Sequence, residues 1–297
     1  MSYLINYGKD FGVQMLRAIK NIRNAEPVLE GAGVHLHRAF GYYQQPDYDP
    51  FLMLDDFRND DPERYLAGFP WHPHRGIETI TYMLEGSAEH GDSLGNRGVI
   101  QKGEVQWMTA GSGIIHQEMP KPDAQGRMYG FQLWTNLPAK EKMSTPRYRD
   151  LKAEDMPVLS GPESCQIKII CGEYGGIRGP VEEIFVQPQY WDVEVKSDTS
   201  VRLPAQRGFT CFIYAYEGVA DVMGMQIRNR QIVLFEDGDE IEISAQNSGF
   251  KFLFLCGKPL HESISWKGPI VMNTREEINL AFKELADDNF IKVKAGY

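Results

Sequence analysis

No window of the 297-residue chain approaches the roughly 18 consecutive apolar residues that a bilayer-spanning helix needs. The N-terminus also lacks the apolar stretch and small-residue cleavage site of a secretory signal. The expected compartment is the cytoplasm, or the nucleus in a eukaryotic cell, with no membrane partner. Cysteine is scarce: Cys165, Cys171, Cys211 and Cys256 are the four, and none form a CxxC pair. Neither a disulfide framework nor a thiolate metal site is read from them, and buried reduced thiols are expected. Positive charge is short as well. Lys and Arg number 31 against 41 Asp and Glu, a net charge of -10, which speaks against direct nucleic-acid binding, since that affinity rests on clustered cations. The chain has no low-complexity tract and no short-period repeat.

Turn formers are plentiful, with 29 Gly and 17 Pro. Between them lie short runs such as "GVHLHRAFGYY", "FLMLDDF", "ETITYMLEG" and "RMYGFQLWTNL", and in the second half "CQIKIICGEYGG", "YWDVEVKSD" and "FKFLFLCG". This is the rhythm of antiparallel strands in a sandwich or barrel, and the length suits two such units. Residues 1–25 read as an N-terminal arm, 26–150 as a first β domain and 151–297 as a second that ends in a helix. Within the arm, "VQMLRAIKNI" has apolar residues at helical spacing, so a terminal helix or loose arm is expected there. The join, residues 136–164, replaces alternation with Pro and charge and reads as a linker. Near the end, "NTREEINLAFKELADDNF" offers Asn273 or Thr274 as an N-cap and places Ile278, Ala281, Phe282 and Leu285 on one face.

Chemistry concentrates in two places. Strand side chains alternate faces, so His72 and His74 in "FPWHPHRG" point the same way and can converge on one ion. The same parity puts His116 and Glu118 of "GSGIIHQEMP" on a common face behind a glycine-rich turn. Three imidazoles and a carboxylate suit Fe, Mn, Ni, Cu or Zn, and an octahedral ion held by them keeps two positions open for water or substrate.

These residues resemble the cupin superfamily. A cupin's first motif runs Gly, HxH, Glu, Gly, matched by Gly68, His72, His74, Glu78 and Gly86, and its second is a glycine turn ending in His, matched by Gly113 to His116. Within the superfamily, "WHPHRGIETITYMLEG", "HGDSLGN", "WMTAGSGIIHQE" and "GPIVMNTREEI" resemble the pirin family, over roughly residues 26–290. One departure is informative. The usual cupin glutamate falls where this chain has Thr79, and Glu78 stands one place early, which reverses its strand face. The pirin resemblance instead implies Glu118 as the carboxylate ligand, with His72, His74 and His116, and leaves Glu78 a supporting or structural role.

The resemblance implies an all-β fold of two stacked jelly-roll-like cupin domains with a C-terminal helix, the first domain binding one divalent ion, Fe2+ ahead of Mn, Ni, Cu or Zn. It implies a dioxygenase that opens flavonols such as quercetin, with Glu118 accepting the flavonol proton. The alternative it carries is an iron-dependent, redox-sensitive regulator that binds a transcription factor or metabolic enzyme, and a cupin isomerase shares the ligands. In the second half the stretch "FTCFIYAYEGVADVMGMQIRNRQIVLFEDGDEI" contains no histidine, so this half is expected to hold no such ion. Its "FEDGDEIE" reads as a solvated edge, since EF-hand spacing is absent.

The remaining histidines get plainer readings. His35 and His37 form another HxH without a matching second motif, His90 reads as a solvent-facing loop residue or the rim of the metal pocket, and His261 reads as structural. Trp71, Met108, Phe131 and Trp134 read as core before pocket wall, and Arg75 points away from the ligands by parity.

Overall fold

The computed structural model describes residues 14–161, 165–182, 184–186 and 188–293. Its contacts separate two units. One joins Asn24–Asp155 to the segment from Pro259 onward, and the other joins the segment up to Arg23 to Met156–Lys258. The sequence-based boundaries at 26–150 and 151–297 run differently at both ends, and each difference has a local cause.

The unit built on Asn24–Asp155 contains two antiparallel sheets. The larger has seven strands, in the order Arg147–Leu151, Val105–Thr109, Ile77–Glu85, Tyr129–Asn136, Phe51–Asp56, Val34–Phe40 and Glu26–Glu30. The smaller has four: Phe69–His74, Ile114–Lys121, Ser87–Asp92 and Arg97–Ile100. Val34, Leu36 and Met83 of the larger pack with Ala88 and Ile100 of the smaller, so alternate residues of both sheets close one interior. The strand Arg147–Leu151 lies inside the stretch read as a linker. Its polar sequence pairs in register with Val105–Thr109 at a sheet edge, where one covered face suffices.

The C-terminal helix, Arg275–Ala286, starts at a capping box between Thr274 and Glu277, as the sequence leads one to expect. Ile278 and Ala281 are buried against Ile270, Met272 and Phe290, with Phe282 and Leu285 partly buried beside them. Ile115 of the strand Ile114–Lys121 packs on the same cluster and Arg75 pairs with Glu284 of the helix, which ties the helix to residues 24–155.

The second unit is built on a nine-stranded sheet organised by two long strands, Thr210–Val222 and Glu240–Gly257, which pair antiparallel with each other. The pairing slips at Ala215/Glu217 and again at Gly218/Ala220. Such bulges turn a strand, and Gly218, at φ 78°, brings the chain so close to the Gly249 carbonyl that a Cβ would lie 2.0 Å from it. The interior is filled by apolar side chains, among them Trp191, Phe252, Phe254, Ile213 and Ile243. All four cysteines are buried free thiols.

The arm belongs to this sheet and is not helical where the structure describes it. Ile19–Asn24 is a strand beside Gln231–Phe235, and Ile19 and Ile22 pack on the unit's core. Arg17 anchors its start, donating to the carbonyls of Gln206 at 2.6 Å, Phe209 at 2.9 Å and Glu236 at 3.1 Å. Tertiary pairing overrides a weak helical pattern in so short a segment. The arm's first 13 residues lie outside the described ones.

Candidate metal centre

Three histidines meet inside the Asn24–Asp155 unit. In the antiparallel pairing of Phe69–His74 with Ile114–Lys121, His116 stands directly opposite His72, and Ile114 opposite His74. The ring centroids of His72, His74 and His116 lie 4.8, 4.4 and 5.0 Å apart pairwise, and one nitrogen from each falls within 4.8 Å of the others. Two strands with period-two alternation therefore supply all three imidazoles from adjoining positions on one face.

The hydrogen bonds around the rings fix which nitrogens are free. Nδ1 of His72 lies 2.9 Å from the Pro70 carbonyl and Nδ1 of His74 lies 3.1 Å from the Pro269 carbonyl. A carbonyl only accepts, so each Nδ1 is the donor there, which leaves Nε2 as the nitrogen that can turn to an ion. His116 is buried with no partner on either ring nitrogen. Burial, reinforced by the neighbouring imidazoles, holds His74 and His116 well below the ordinary histidine range; the Pro269 carbonyl opposes this at His74. Three imidazoles with one nitrogen each drawn close together form the donor set of a transition-metal ion, and orphaned buried nitrogens such as those of His116 are otherwise costly. The residues present fit such an ion.

Glu118 takes a different position from the three rings. The strand register slips between His116 and Glu118, and the cluster of mutually close ligand atoms among the described residues comprises the histidines alone. The Glu118 carboxylate accepts from Thr81 Oγ1 at 3.0 Å and from Gln132 Nε2 at 3.0 Å, in the same interior. Glu78 lies on the far face of its strand. It accepts from Thr109 Oγ1 at 2.7 Å and Thr135 Oγ1 at 3.4 Å, and burial pushes its carboxyl above the usual range. The one-place shift noted in the sequence thus takes Glu78 out of the site.

His90 departs from the loop reading. It sits in the strand Ser87–Asp92, 4% exposed and opposite Glu118 in register. Its ring stacks on Tyr148 at 5.0 Å; neither nitrogen has a hydrogen-bond partner, and Nε2 lies 3.9 Å from the Asp150 carboxylate. A turn-rich sequence, "AEHGDSLGN", conceals a buried strand here because the turn begins only after Asp92. His35 and His37 face away from buried Val34 and Leu36 and take no part in the cluster. His261 is an exposed residue outside the strands and helices, at φ 54°.

A cavity of about 670 Å³ opens onto His72 and His74. Gln132, Trp134, Trp266 and Tyr42 line it, as does the ion pair in which Arg38 donates to both oxygens of Asp55 at 2.7 Å. Of these only Trp134 is among the pocket-wall candidates of the sequence. Met108 is buried core, Phe131 lies on the face opposite Gln132 and Trp134, and Trp71 is largely exposed. Gln132 was findable from its parity with Trp134 on one strand, whereas Trp266 comes from a segment with no motif of its own.

Antiparallel double-sheet architecture and a three-histidine cluster on adjoining strands define a cupin with a site able to hold a metal ion. The comparisons with known proteins are specific within that class. The family profile described as Pirin matches residues 33–135, and the one described as Pirin C-terminal cupin domain matches residues 190–291. A pirin-like protein of Caulobacter vibrioides is 41% identical over 276 residues, covering 93% of this chain and 99% of that protein. Human Pirin is 36% identical over 273 residues, covering 89% of this chain and 91% of that protein. The crystal structure of a quercetin 2,3-dioxygenase from Acinetobacter baumannii superposes with a TM-score of 0.86 at 30% identity, covering 93% of this chain and 99% of that one. The chain belongs to the pirin family, with two cupin domains.

Proposed function

We propose that the protein is a metal-dependent dioxygenase that opens flavonols such as quercetin, using ferrous iron held by His72, His74 and His116. The observation that carries this reading is the convergence of three buried or half-buried imidazoles beside a cavity of about 670 Å³, inside the roughly 300–1,000 Å³ range of small-molecule sites. The name of the Acinetobacter neighbour supports the choice of substrate. Trp134, Trp266 and Tyr42 give that cavity aromatic walls suited to a flat polyphenol.

A bound divalent ion would acidify a hydroxyl that approaches it and supply the electron chemistry with dioxygen. The chain's own residues do the rest. The Pro70 and Pro269 carbonyls set the tautomers of His72 and His74. Glu118 enters the proposal both as the carboxylate that completes the ligand set and as the acceptor of the flavonol proton, held by Thr81 and Gln132 until it is used. Gln132 in turn accepts from the Trp134 indole at 3.2 Å, which ties the carboxylate's position to the cavity wall.

Two measurements test this. Elemental analysis of the purified protein beside its His116→Ala variant is expected to show the metal largely lost in the variant; equal metal in both would overturn the site. Anaerobic ferrous loading followed by quercetin and dioxygen is expected to give equimolar oxygen uptake and carbon monoxide release. Iron-loaded protein inert toward flavonols would overturn the dioxygenase reading and favour the iron-dependent regulatory role, in which a partner protein binds the ferrous and ferric forms differently.

A further inference from the structure

The aromatic side chains beside the site continue past the cavity to the protein surface. From the His74 ring the centroid of Trp134 is 5.0 Å away, and from Trp134 that of Trp266 is 6.1 Å away. Tyr42 follows at 5.6 Å from Trp266, and Tyr43 at 5.3 Å from Tyr42. Exposure rises along the series, from 8% at Trp134 through half-buried Trp266 to 58% at Tyr42 and 88% at Tyr43. Every step is within the spacing at which aromatic rings touch. A substrate wall accounts for Trp134, Trp266 and Tyr42, which line the cavity; Tyr43 does not line it, yet it extends the same series outward.

We propose that His74, Trp134, Trp266, Tyr42 and Tyr43 form a path along which single electrons pass between the metal site and the surface, sparing the histidines from oxidation when turnover fails. The inference rests on the metal reading above. Electron tunnelling falls off exponentially with gap, so one long transfer becomes several short ones when oxidisable rings in contact divide it. Indole and phenol are the side chains that give up an electron most readily among the aromatics, and phenylalanine is absent from the series. Both indoles are also hydrogen-bonded: Trp134 Nε1 donates to Gln132 Oε1 at 3.2 Å and Trp266 Nε1 to the Gly268 carbonyl at 2.8 Å, which favours the positive charge of an oxidised ring.

The electrons balance as follows. A one-electron oxidant left at the site by dioxygen or a peroxide takes one electron from Trp134, which is refilled from Trp266, and Trp266 from Tyr42. On losing its electron Tyr42 releases its phenolic proton to solvent and becomes a neutral radical, which Tyr43 can relieve in the same way. A soluble thiol then donates one hydrogen atom to the tyrosyl radical, restoring the phenol, and two such thiyl products combine to a disulfide. The site has been reduced by one electron and the protein is otherwise unchanged.

The test uses iron-loaded protein treated with hydrogen peroxide in the presence of a nitrone spin trap, followed by peptide mapping of the adducts by mass spectrometry. The path predicts adducts at Tyr42 and Tyr43 that need bound iron. Trp266→Phe, which keeps a ring but removes an oxidisable one, is expected to lower them at least fivefold at equal iron content and to raise oxidation of His74 and Trp134. Tyr42→Phe, a change at an exposed position, is expected to lower the adduct at Tyr43. Undiminished tyrosine adducts in both variants, or equal adducts in metal-free protein, would overturn the path while leaving the metal site intact. Failure of the wild-type protein to take up stoichiometric iron would overturn the metal reading itself, and the path with it.

Discussion

Arg75 follows His74 directly, and its side chain is among the most constrained in the first unit. Nε donates to the Ser112 carbonyl at 2.7 Å, one terminal nitrogen to the Phe290 carbonyl at 2.8 Å, and the other meets Glu284 at 2.7 Å, while the guanidinium lies 4.2 Å from the centre of the Phe290 ring. One residue thus ties the first histidine motif to the glycine turn of the second and to the C-terminal helix. Arg75→Ala strips partners from buried carbonyls and from Glu284, so a loss of about 3–5 kcal/mol is expected in urea unfolding. Arg75→Lys keeps the charge but not the planar fork and is expected to recover only part of that loss. A loss under about 0.5 kcal/mol for Arg75→Ala would show that the strut carries nothing, being no larger than an ordinary surface change. Parity in the sequence placed Arg75 opposite the ligands, and it is there. Its partners were not legible, because Glu284 and Phe290 stand some two hundred residues away and nothing local announces them. The histidines were legible for the opposite reason: HxH and the glycine turn are local patterns whose chemistry survives without knowledge of the fold. Gly76, next along, has φ 77°, and a Cβ there would lie 2.0 Å from the Val271 carbonyl. Gly76→Ala is therefore expected to disturb His74 as well as stability, with metal content falling alongside the unfolding midpoint.

At the scale of elements, the C-terminal helix and the N-terminal arm show what sequence pattern can and cannot decide. The helix carries its own start signal, and Thr274 accepts from the Glu277 amide while Glu277 Oε2 accepts from the Thr274 amide at 2.8 Å. Thr274→Ala is expected to cost about 1 kcal/mol in the same unfolding measurement. The arm has no such signal, and its strand exists because the second unit offers an edge and an anchor. Part of that anchor is ionic: Asp239 accepts from the Met15 amide at 2.9 Å and pairs with Arg207 at 2.6 Å, and these donors pull its carboxyl down to about 2. A depressed carboxyl contributes stability that is complete above its unfolded value near 4 and disappears as pH falls through about 2. Wild-type protein should therefore lose stability between pH 4 and pH 2 more steeply than Asp239→Asn, which lacks the titrating group. Parallel acid titrations followed by circular dichroism would show it, and identical slopes would remove Asp239 from the account.

For the whole molecule, the two units recognised in the contacts do not follow the order of the chain. The segment from Pro259 returns to the unit formed by Asn24–Asp155, and it brings back more than a covering helix. Its Pro269 carbonyl orients His74, its Val271 amide donates to the Arg75 carbonyl at 3.1 Å, and its Val271 carbonyl accepts from buried Lys142 at 2.9 Å. Trp266, in the same segment, walls the cavity. Strand rhythm in the sequence revealed two β units of the right size, but it could not reveal this return, because "GPIVMNTREEI" carries a family pattern and a helix start and nothing in it says which surface it meets. A fragment comprising residues 24–155 keeps His72, His74, His116 and Glu118, so a motif-based view expects it to bind metal. The structure argues otherwise, since Val271 packs with Ile77, Ile114 and Trp134 beside the motif strands and the Pro269 carbonyl holds His74. The fragment is expected to bind at least tenfold less metal at equal concentration, and a chain in which residues 24–155 are joined by a glycine-serine linker to residues 259–297 is expected to recover most of it. Equal binding by the bare fragment would show that the two motif strands suffice alone and that the returning segment only covers them.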